Sequence, residues 1–338
     1  MSDPDDEKDM MMKAWTLAAR PKGTPVDGDF ALVERDLPAL NEGEVRIVNR
    51  WLSVDPYMRG RMNDTKSYVP PFQLGEPMQG GAIGEVVESR ADGIAVGTMV
   101  SHMAGWRDEA VLPAAHVQPL PDLGVDPQAY LGQFGMPGMT AYYGLLQVAE
   151  AKPGDTVFVS AAAGAVGSTV VQIAKAKGMT VIGSAGGAEK CDWVRSLGAD
   201  AVIDYKSGQS VVDALGEAAP DGIDVYFDNV GGDHLDAALA HAKPNARFAI
   251  CGMIDVYNDA KPTSLKYLAR LIGNRVRIQG FIVSDFKDQP GFYRDMAGML
   301  KDGQLKREET VFEGLDRTPE AFLALFTGGN KGKMLVKL

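Results

Sequence analysis

The stretch Val157-Phe158-Val159-Ser160-Ala161-Ala162-Ala163-Gly164-Ala165-Val166-Gly167 constrains this chain more than any other. A short apolar run meets a glycine-bearing turn, and a helical pattern follows from Ser168 to Lys177, closed by Gly178. In that order of strand, turn and helix, Gly164 lets the backbone approach a pyrophosphate at the helix N-terminus, and Gly167 lets helix and strand pack closely. Ala162 stands where the first glycine of G-x-G-x-x-G is usual, so the glycines by themselves could serve turn geometry only. The flanking strand and helix favour a dinucleotide site built on Gly164, Ala165, Val166 and Gly167.

The neighbouring rhythm agrees. After Pro153-Gly154-Asp155, short apolar strands are expected at Thr156 to Ser160, Thr180 to Gly183, Ala201 to Ile203, Val225 to Asp228 and Arg247 to Cys251, with helical segments between. Strands apolar on both faces and spaced for crossovers predict a doubly wound parallel sheet, hence an α/β fold. From Lys13 to about Leu120 the pattern is instead β-type, at Glu44 to Val48, Ala82 to Val87, Thr98 to Ser101 and Glu109 to Leu112, broken by Gly and Pro. The expected division is a disordered leader over residues 1–12, a β-rich domain over 13–133, a nucleotide-binding domain over 134–307, and a segment over 308–338 that returns to the first domain. That last segment carries a helical Pro319 to Phe326 and a strand-like Lys333 to Leu338.

Discrimination between NAD and NADP belongs at the end of the second strand, where NAD enzymes place an acid on the ribose. Here Ile182-Gly183-Ser184-Ala185-Gly186-Gly187 carries no carboxylate and Lys190 follows, so a 2′-phosphate meets Ser184 and a cation. The bland alternative for Lys190 is a solvated lysine, although a cation in a first helical turn is disfavoured by the dipole unless an anion joins it.

Partners and compartment follow from charge and cysteine usage. A net charge of -11 opposes nucleic acid and anionic membrane surfaces, and no apolar run reaches the roughly 18 residues of a span. The two cysteines, Cys191 and Cys251, form no CxxC pair and read as small core residues. The four histidines show no helical zinc spacing, so no metal is expected, and a cytoplasmic protein with a small-molecule partner is.

Four motifs carry a family resemblance: Leu52-Ser53-Val54-Asp55-Pro56-Tyr57-Met58-Arg59-Gly60, Gly135 to Tyr142, the Ala162 to Gly167 turn, and Phe227-Asp228-Asn229-Val230-Gly231-Gly232. With them the chain, from about Lys13 to Leu338, resembles zinc-independent medium-chain dehydrogenase/reductases of the leukotriene B4 dehydrogenase, prostaglandin reductase and curcumin reductase group. Lys66 to Phe72 and Gln279 to Val283 are similar to the curcumin reductase branch. The resemblance implies a GroES-like β-rich catalytic domain beside a Rossmann domain, NADPH as cofactor, and a homodimer, for which the apolar Val276 to Val283 stretch is a candidate edge or else internal core. Where alcohol dehydrogenase relatives carry zinc-site residues, this chain has Asp55 and Gly75-Glu76-Pro77.

Position by position, the resemblance places Lys190 and Tyr205 at the adenosine phosphate, Asn330 on the cofactor, and Asn229, Cys251, Phe281 and Val283 around the nicotinamide. Tyr257 resembles the tyrosine beside the ribose and substrate oxygen, and Tyr57 and Tyr68 resemble substrate-pocket tyrosines. The implied reaction is hydride delivery to the β-carbon of an α,β-unsaturated ketone or aldehyde. Tyr257 or Tyr57 would donate to the carbonyl oxygen or relay a proton, and solvent would protonate the α-carbon. Read from residue type alone, Tyr57 is equally a half-buried aromatic and Tyr68 an exposed loop residue, while Arg59 and Arg61 either neutralise an acidic substrate or, the safer reading, sit on a solvated face. Rival readings are an NADPH:quinone reductase and a non-catalytic NADP-binding sensor.

Overall fold

The computed structural model describes residues 11–258 and 263–338. The chain divides into two compact units, Met1–Leu131 with Thr310–Gly329 and Met334–Leu338, and Gly132–Glu309 with Asn330–Lys333. Most of the leader expected over residues 1–12 lies outside the described residues. Met11 and Met12, however, open strand β1 (Met11–Leu17), which pairs antiparallel with β2 (Phe30–Asp36). Met12 is buried because alternate residues of β1 face the core, a period-two signal that the run of methionines hides.

The first unit continues with β3 (Glu44–Ser53), the single-turn helix α1 (Met58–Arg61), β4 (Ala82–Ser89), β5 (Met99–His102), β6 (Glu109–Pro113) and β7 (Gln118–Pro119). Val45, Ile47 and Asn49 alternate into the core along β3, and a register shift between Asn49 and Trp51 then turns Leu52 inward. Between β5 and β6, Trp106 stacks on Phe30 at 5.8 Å and meets the edge of Phe322 at 5.7 Å, so a residue from the C-terminal segment completes this core.

The second unit begins with α2 (Met136–Tyr143). It continues through β8 (Thr156–Val159), α3 (Ala165–Ala176), β9 (Thr180–Ala185), α4 (Ala188–Ser196), β10 (Ala201–Asp204), α5 (Val211–Ala218), β11 (Ile223–Asp228), α6 (Gly232–Ala240) and β12 (Ala242–Ile250). After α7 (Arg270–Asn274), β13 (Arg277–Gly280) and α8 (Gln289–Lys301), the chain turns back. The six strands form one parallel sheet in the order β10-β9-β8-β11-β12-β13. Counted from β8, this is the 3-2-1-4-5-6 order of the doubly wound nucleotide-binding fold, with the switch point between β8 and β11. Ligands of such sheets bind at the carboxyl ends of the strands beside that point.

The returning segment supplies β14 (Glu309–Glu313), α9 (Thr318–Ala324) and β15 (Lys333–Lys337). Here β15 pairs antiparallel with β3 in a seven-stranded sheet of order β14-β15-β3-β4-β5-β7, to which β6 adds by pairing β3. The return is interrupted: Asn330–Lys333 clusters with the second unit, where it runs beside the turn after β8.

Candidate active site

The turn after β8 is shaped by its own backbone. Ala161 sits in the left-handed region at φ 48°, a strain of about 1–2 kcal/mol for a residue with a Cβ, and Gly164 N–H closes the turn onto Ala161 O at 3.0 Å. A Cβ at Gly167 would lie 2.3 Å from Ala161 O and 2.8 Å from Ala162 Cα, so only glycine allows the first turn of α3 to press onto the loop. Helix α3 begins three residues earlier than its apolar pattern indicates, at Ala165, with Gly164 as N-cap, no capping side chain and no acid in its first turn. The amides of Ala165, Val166 and Gly167 therefore belong to a twelve-residue helix whose positive end has no side-chain anion of its own. A pyrophosphate fits that donor set. Alongside, Gly332 bridges Gly164 and donates to Ala163 O at 2.8 Å, while Asn330 Nδ2 donates to Gly332 O at 3.0 Å, so Asn330 braces the strap it sits in.

At the end of β9 the expected phosphate ligands sit at different depths. Ser184 is fully buried, its hydroxyl 2.8 Å from His234 Nε2. Burial lowers the His234 imidazole to about 4, leaving it neutral, packed over Phe158 at 6.3 Å and against the edge of Tyr205 at 5.6 Å. Tyr205 is partly exposed and lies across Gly186, where a Cβ would strike its ring at 2.6 Å. Lys206, which sequence reading did not single out, packs its Cε against the same glycine. Lys190 is half-buried, and its ammonium is pushed below the usual range by burial and then by the charge of Lys206. Two cations beside an exposed aromatic face suit an anion by charge. Asp204 holds this turn together by accepting from the backbone N–H groups of Gly187 and Lys206, each at 2.9 Å, and those bonds keep its carboxyl below the usual range.

At the switch point, Ser160 and Asn229 bind one another: Asn229 N–H donates to Ser160 Oγ and Asn229 Nδ2 to Ser160 O, both at 2.8 Å. Beneath them Asp228 is fully buried, and its Oδ1 accepts from Tyr226 OH at 2.7 Å and from the backbone N–H groups of Val230 and Gly231. Cys251 lies just beyond β12, partly buried where sequence reading put it in the core, and donates its N–H to Asp228 O at 2.9 Å. Burial and then Asp228 push the Cys251 thiol up to about 12, so it is a neutral thiol and no nucleophile. Tyr257 lies close over Gly252, its hydroxyl accepting from Met253 N–H at 3.4 Å. Phe281 packs against Phe227 and Phe286, both at 6.2 Å, and Val283 opens a short turn nearby. Ser160, Asn229, Cys251 and Tyr257 thus gather at the carboxyl ends of β8, β11 and β12.

In the first unit, Tyr57 packs against the core with its hydroxyl buried and without an acceptor within hydrogen-bond geometry. Burial, then Asp55, raises its proton affinity well above the ordinary phenol, and Arg61 partly opposes the rise. Tyr68 is 63% exposed and lies within electrostatic reach of both Tyr57 and Arg61. Arg59 and Arg61 are buried, where sequence reading placed them on a solvated face. Arg61 donates to Pro70 O at 2.9 Å and Gln79 Oε1 at 2.8 Å and lies 4.1 Å over the Phe72 ring, which fixes the segment that carries Tyr68. Arg59 donates to Asn63 Oδ1 and Gly23 O. Asp55, which sequence reading set where alcohol dehydrogenase relatives carry a zinc-site residue, accepts from Ser53 Oγ. Among the described residues no three His, Cys, Asp or Glu side chains are grouped to hold a metal ion.

Residues 13–120 match the family described as the N-terminal domain of oxidoreductase, and residues 165–300 match the zinc-binding dehydrogenase family. The NADPH-dependent curcumin reductase of Escherichia coli is 40% identical over 334 residues, 96% of each chain. Prostaglandin reductase 1 of Mus musculus is 40% identical over 331 residues, 96% of this chain and 98% of that one. The chain belongs to the medium-chain reductase family of these two enzymes. A crystal structure of CurA from Vibrio vulnificus in complex with NADPH, 40% identical, matches with a TM-score of 0.91 over 96% of this chain and 98% of that one. Both elements of the expected fold, the β-rich unit and the Rossmann sheet, are therefore those of the family.

Proposed function

We propose that the chain is an NADPH-dependent reductase of the activated C=C bond of α,β-unsaturated ketones and aldehydes. The observation that carries this reading is the pairing of Lys190 and Lys206 beside Tyr205, at a strand end with no acid for a ribose hydroxyl, within a chain 40% identical to curcumin and prostaglandin reductases along 96% of its length. When bound, NADPH supplies a hydride. The amides at the start of α3 would hold its pyrophosphate, and Lys190, Lys206 and Tyr205 its 2′-phosphate.

Tyr257 is the proposed donor to the substrate oxygen in the second unit, and Tyr57 and Tyr68 are proposed substrate contacts in the first. A phenol stays protonated at neutral pH, so Tyr257 donates a hydrogen bond to charge developing on a carbonyl oxygen without needing a metal. The raised proton affinity of Tyr57 makes it a donor that keeps its proton, leaving solvent to protonate the α-carbon. A cytoplasmic location is proposed from two free thiols and the use of NADPH. Among the described residues, no helix is long and apolar enough to cross a membrane.

The test is to run the reaction with NADPH deuterated at C4 and locate the label by NMR. One deuterium at the β-carbon with the carbonyl intact supports the reading. A labelled alcohol carbon, or a quinol as the sole product class, contradicts it.

A further inference from the structure

A doubly wound sheet is two mononucleotide halves, so a dinucleotide whose phosphates lie at the start of α3 and the end of β9 has its nicotinamide half at the ends of β11, β12 and β13. At those ends the chain buries a carboxyl group. Asp228 closes β11, is fully buried, and gathers four donors on Oδ1: Tyr226 OH at 2.7 Å, Gly231 N–H at 2.8 Å, Val230 N–H at 2.9 Å and Ser160 Oγ at 3.2 Å. Its backbone O accepts from Cys251 N–H at 2.9 Å and Gly252 N–H at 3.1 Å, which ties the end of β11 to the segment after β12. Among the described residues, no donor meets Oδ2, and the groups that bond Oδ1 are all neutral.

Burial raises the proton affinity of this carboxyl, and the four donors oppose the rise because each bonds the anion better than the acid. Dipoles hold a buried anion without cancelling its charge, so its field extends through the low-dielectric interior. Cys251 lies in that field: after burial, Asp228 is what raises its thiol. An asparagine could accept the same four bonds through its carbonyl oxygen, so the geometry of the turn does not require a charge whose burial is costly. We propose that the Asp228 carboxylate tunes the bound cofactor, its fixed charge favouring the cationic oxidised nicotinamide over the neutral reduced one and so promoting hydride release. The inference rests on the NADPH reading above. Hydride transfer breaks the C4–H bond of the dihydronicotinamide and forms a C–H bond at the substrate β-carbon. The ring becomes a cation, and the substrate becomes an enolate that takes a proton from solvent. An anion already in place stabilises the ring as its charge appears, with no reorganisation at that moment.

The experiment measures dissociation constants for NADPH, NADP⁺ and 2′,5′-ADP by titration of wild type, Asp228→Asn and Tyr226→Phe. Tyr226→Phe breaks one bond of the same network and keeps the charge. NADPH and NADP⁺ differ only at the ring, and 2′,5′-ADP lacks it, so the fragment reports whether the rest of the site is intact. Asp228→Asn is expected to weaken NADP⁺ roughly tenfold relative to NADPH, the scale of a unit charge acting through a protein interior, with 2′,5′-ADP unchanged. Tyr226→Phe is expected to keep the wild-type ratio. The wild type carries an arm of its own that needs no variant to fold: it is expected to bind NADP⁺ at least as tightly as NADPH. Tighter binding of NADPH by the wild type, an unchanged ratio in Asp228→Asn, or the same change of ratio in Tyr226→Phe overturns the role assigned to Asp228 and leaves the NADPH reading standing. A wild type that binds neither form of the cofactor overturns both.

Discussion

Two buried histidines set how this molecule responds to acid. His102 and His234 are each lowered to about 4, mainly by burial, with Arg107 adding to the effect at His102. A folded value below the unfolded one, near 6.5, means that the unfolded chain binds more protons between those two values, so stability rises with pH across that window and is lost as pH falls through it. Each histidine contributes up to about 3 kcal/mol over the window. The carboxylates of Asp155 and Asp200 are held below their usual range and release their stabilisation only at lower pH, so the two effects separate. Urea unfolding followed from pH 7 to pH 4 is expected to show a steep decline in wild type and a shallower one in His234→Gln; equal slopes would contradict this. At Gly167, substitution by alanine places a Cβ 2.3 Å from Ala161 O. The expected result is a loss of about 1–3 kcal/mol in stability and weaker NADPH binding, read from denaturant melts and titration; an unchanged midpoint would contradict it. Gly167 was legible from its spacing in the turn, whereas the partnership of Ser184 with His234 was not, because a bond across fifty residues leaves no local pattern.

Among elements, β13 leaves one edge of the six-stranded sheet open. All four of its residues are exposed at the margin of the six-stranded sheet, with Ile278 at 37% exposure. Nearby, Leu268 and Ile272 stand 48% and 84% exposed. An open strand edge beside exposed apolar side chains suits pairing with a second copy, and a homodimer through this edge is proposed. Light scattering is expected to give a dimer for the wild type and a monomer for Ile272→Asp; a monomeric wild type removes the idea. The elements themselves were unevenly readable. Strands β3, β4, β8 and β11 announced themselves by alternation or by short apolar runs between turn residues. The start of β12 did not, because Pro244 and Asn245, at φ 65°, carry turn chemistry inside a strand whose register shifts there. Strand β1 was hidden by its methionines, and the strap at 330–333 by the strand that follows it.

Taken whole, the chain is acidic at -11, yet it gathers Lys190 and Lys206 at one strand end, so attraction for a phosphorylated cofactor is local while polyanions are repelled at large. The fold was legible because glycine spacing and apolar rhythm act over short stretches of chain. The cation pair was half legible: Lys190 follows from its place after β9, but Lys206 arrives from the end of β10 only when the sheet is assembled. The reaction class came from motifs, since Tyr57, Tyr68 and Tyr257 read from residue type alone could as well be ordinary aromatics. The direct test is steady-state oxidation of NADPH against a panel of enones, enals, quinones and alcohols, repeated with NADH and with a metal chelator. The account predicts turnover of enones and enals that prefers NADPH and ignores the chelator. Oxidation of alcohols, abolition by the chelator, or NADPH binding with no turnover of any enone would contradict it.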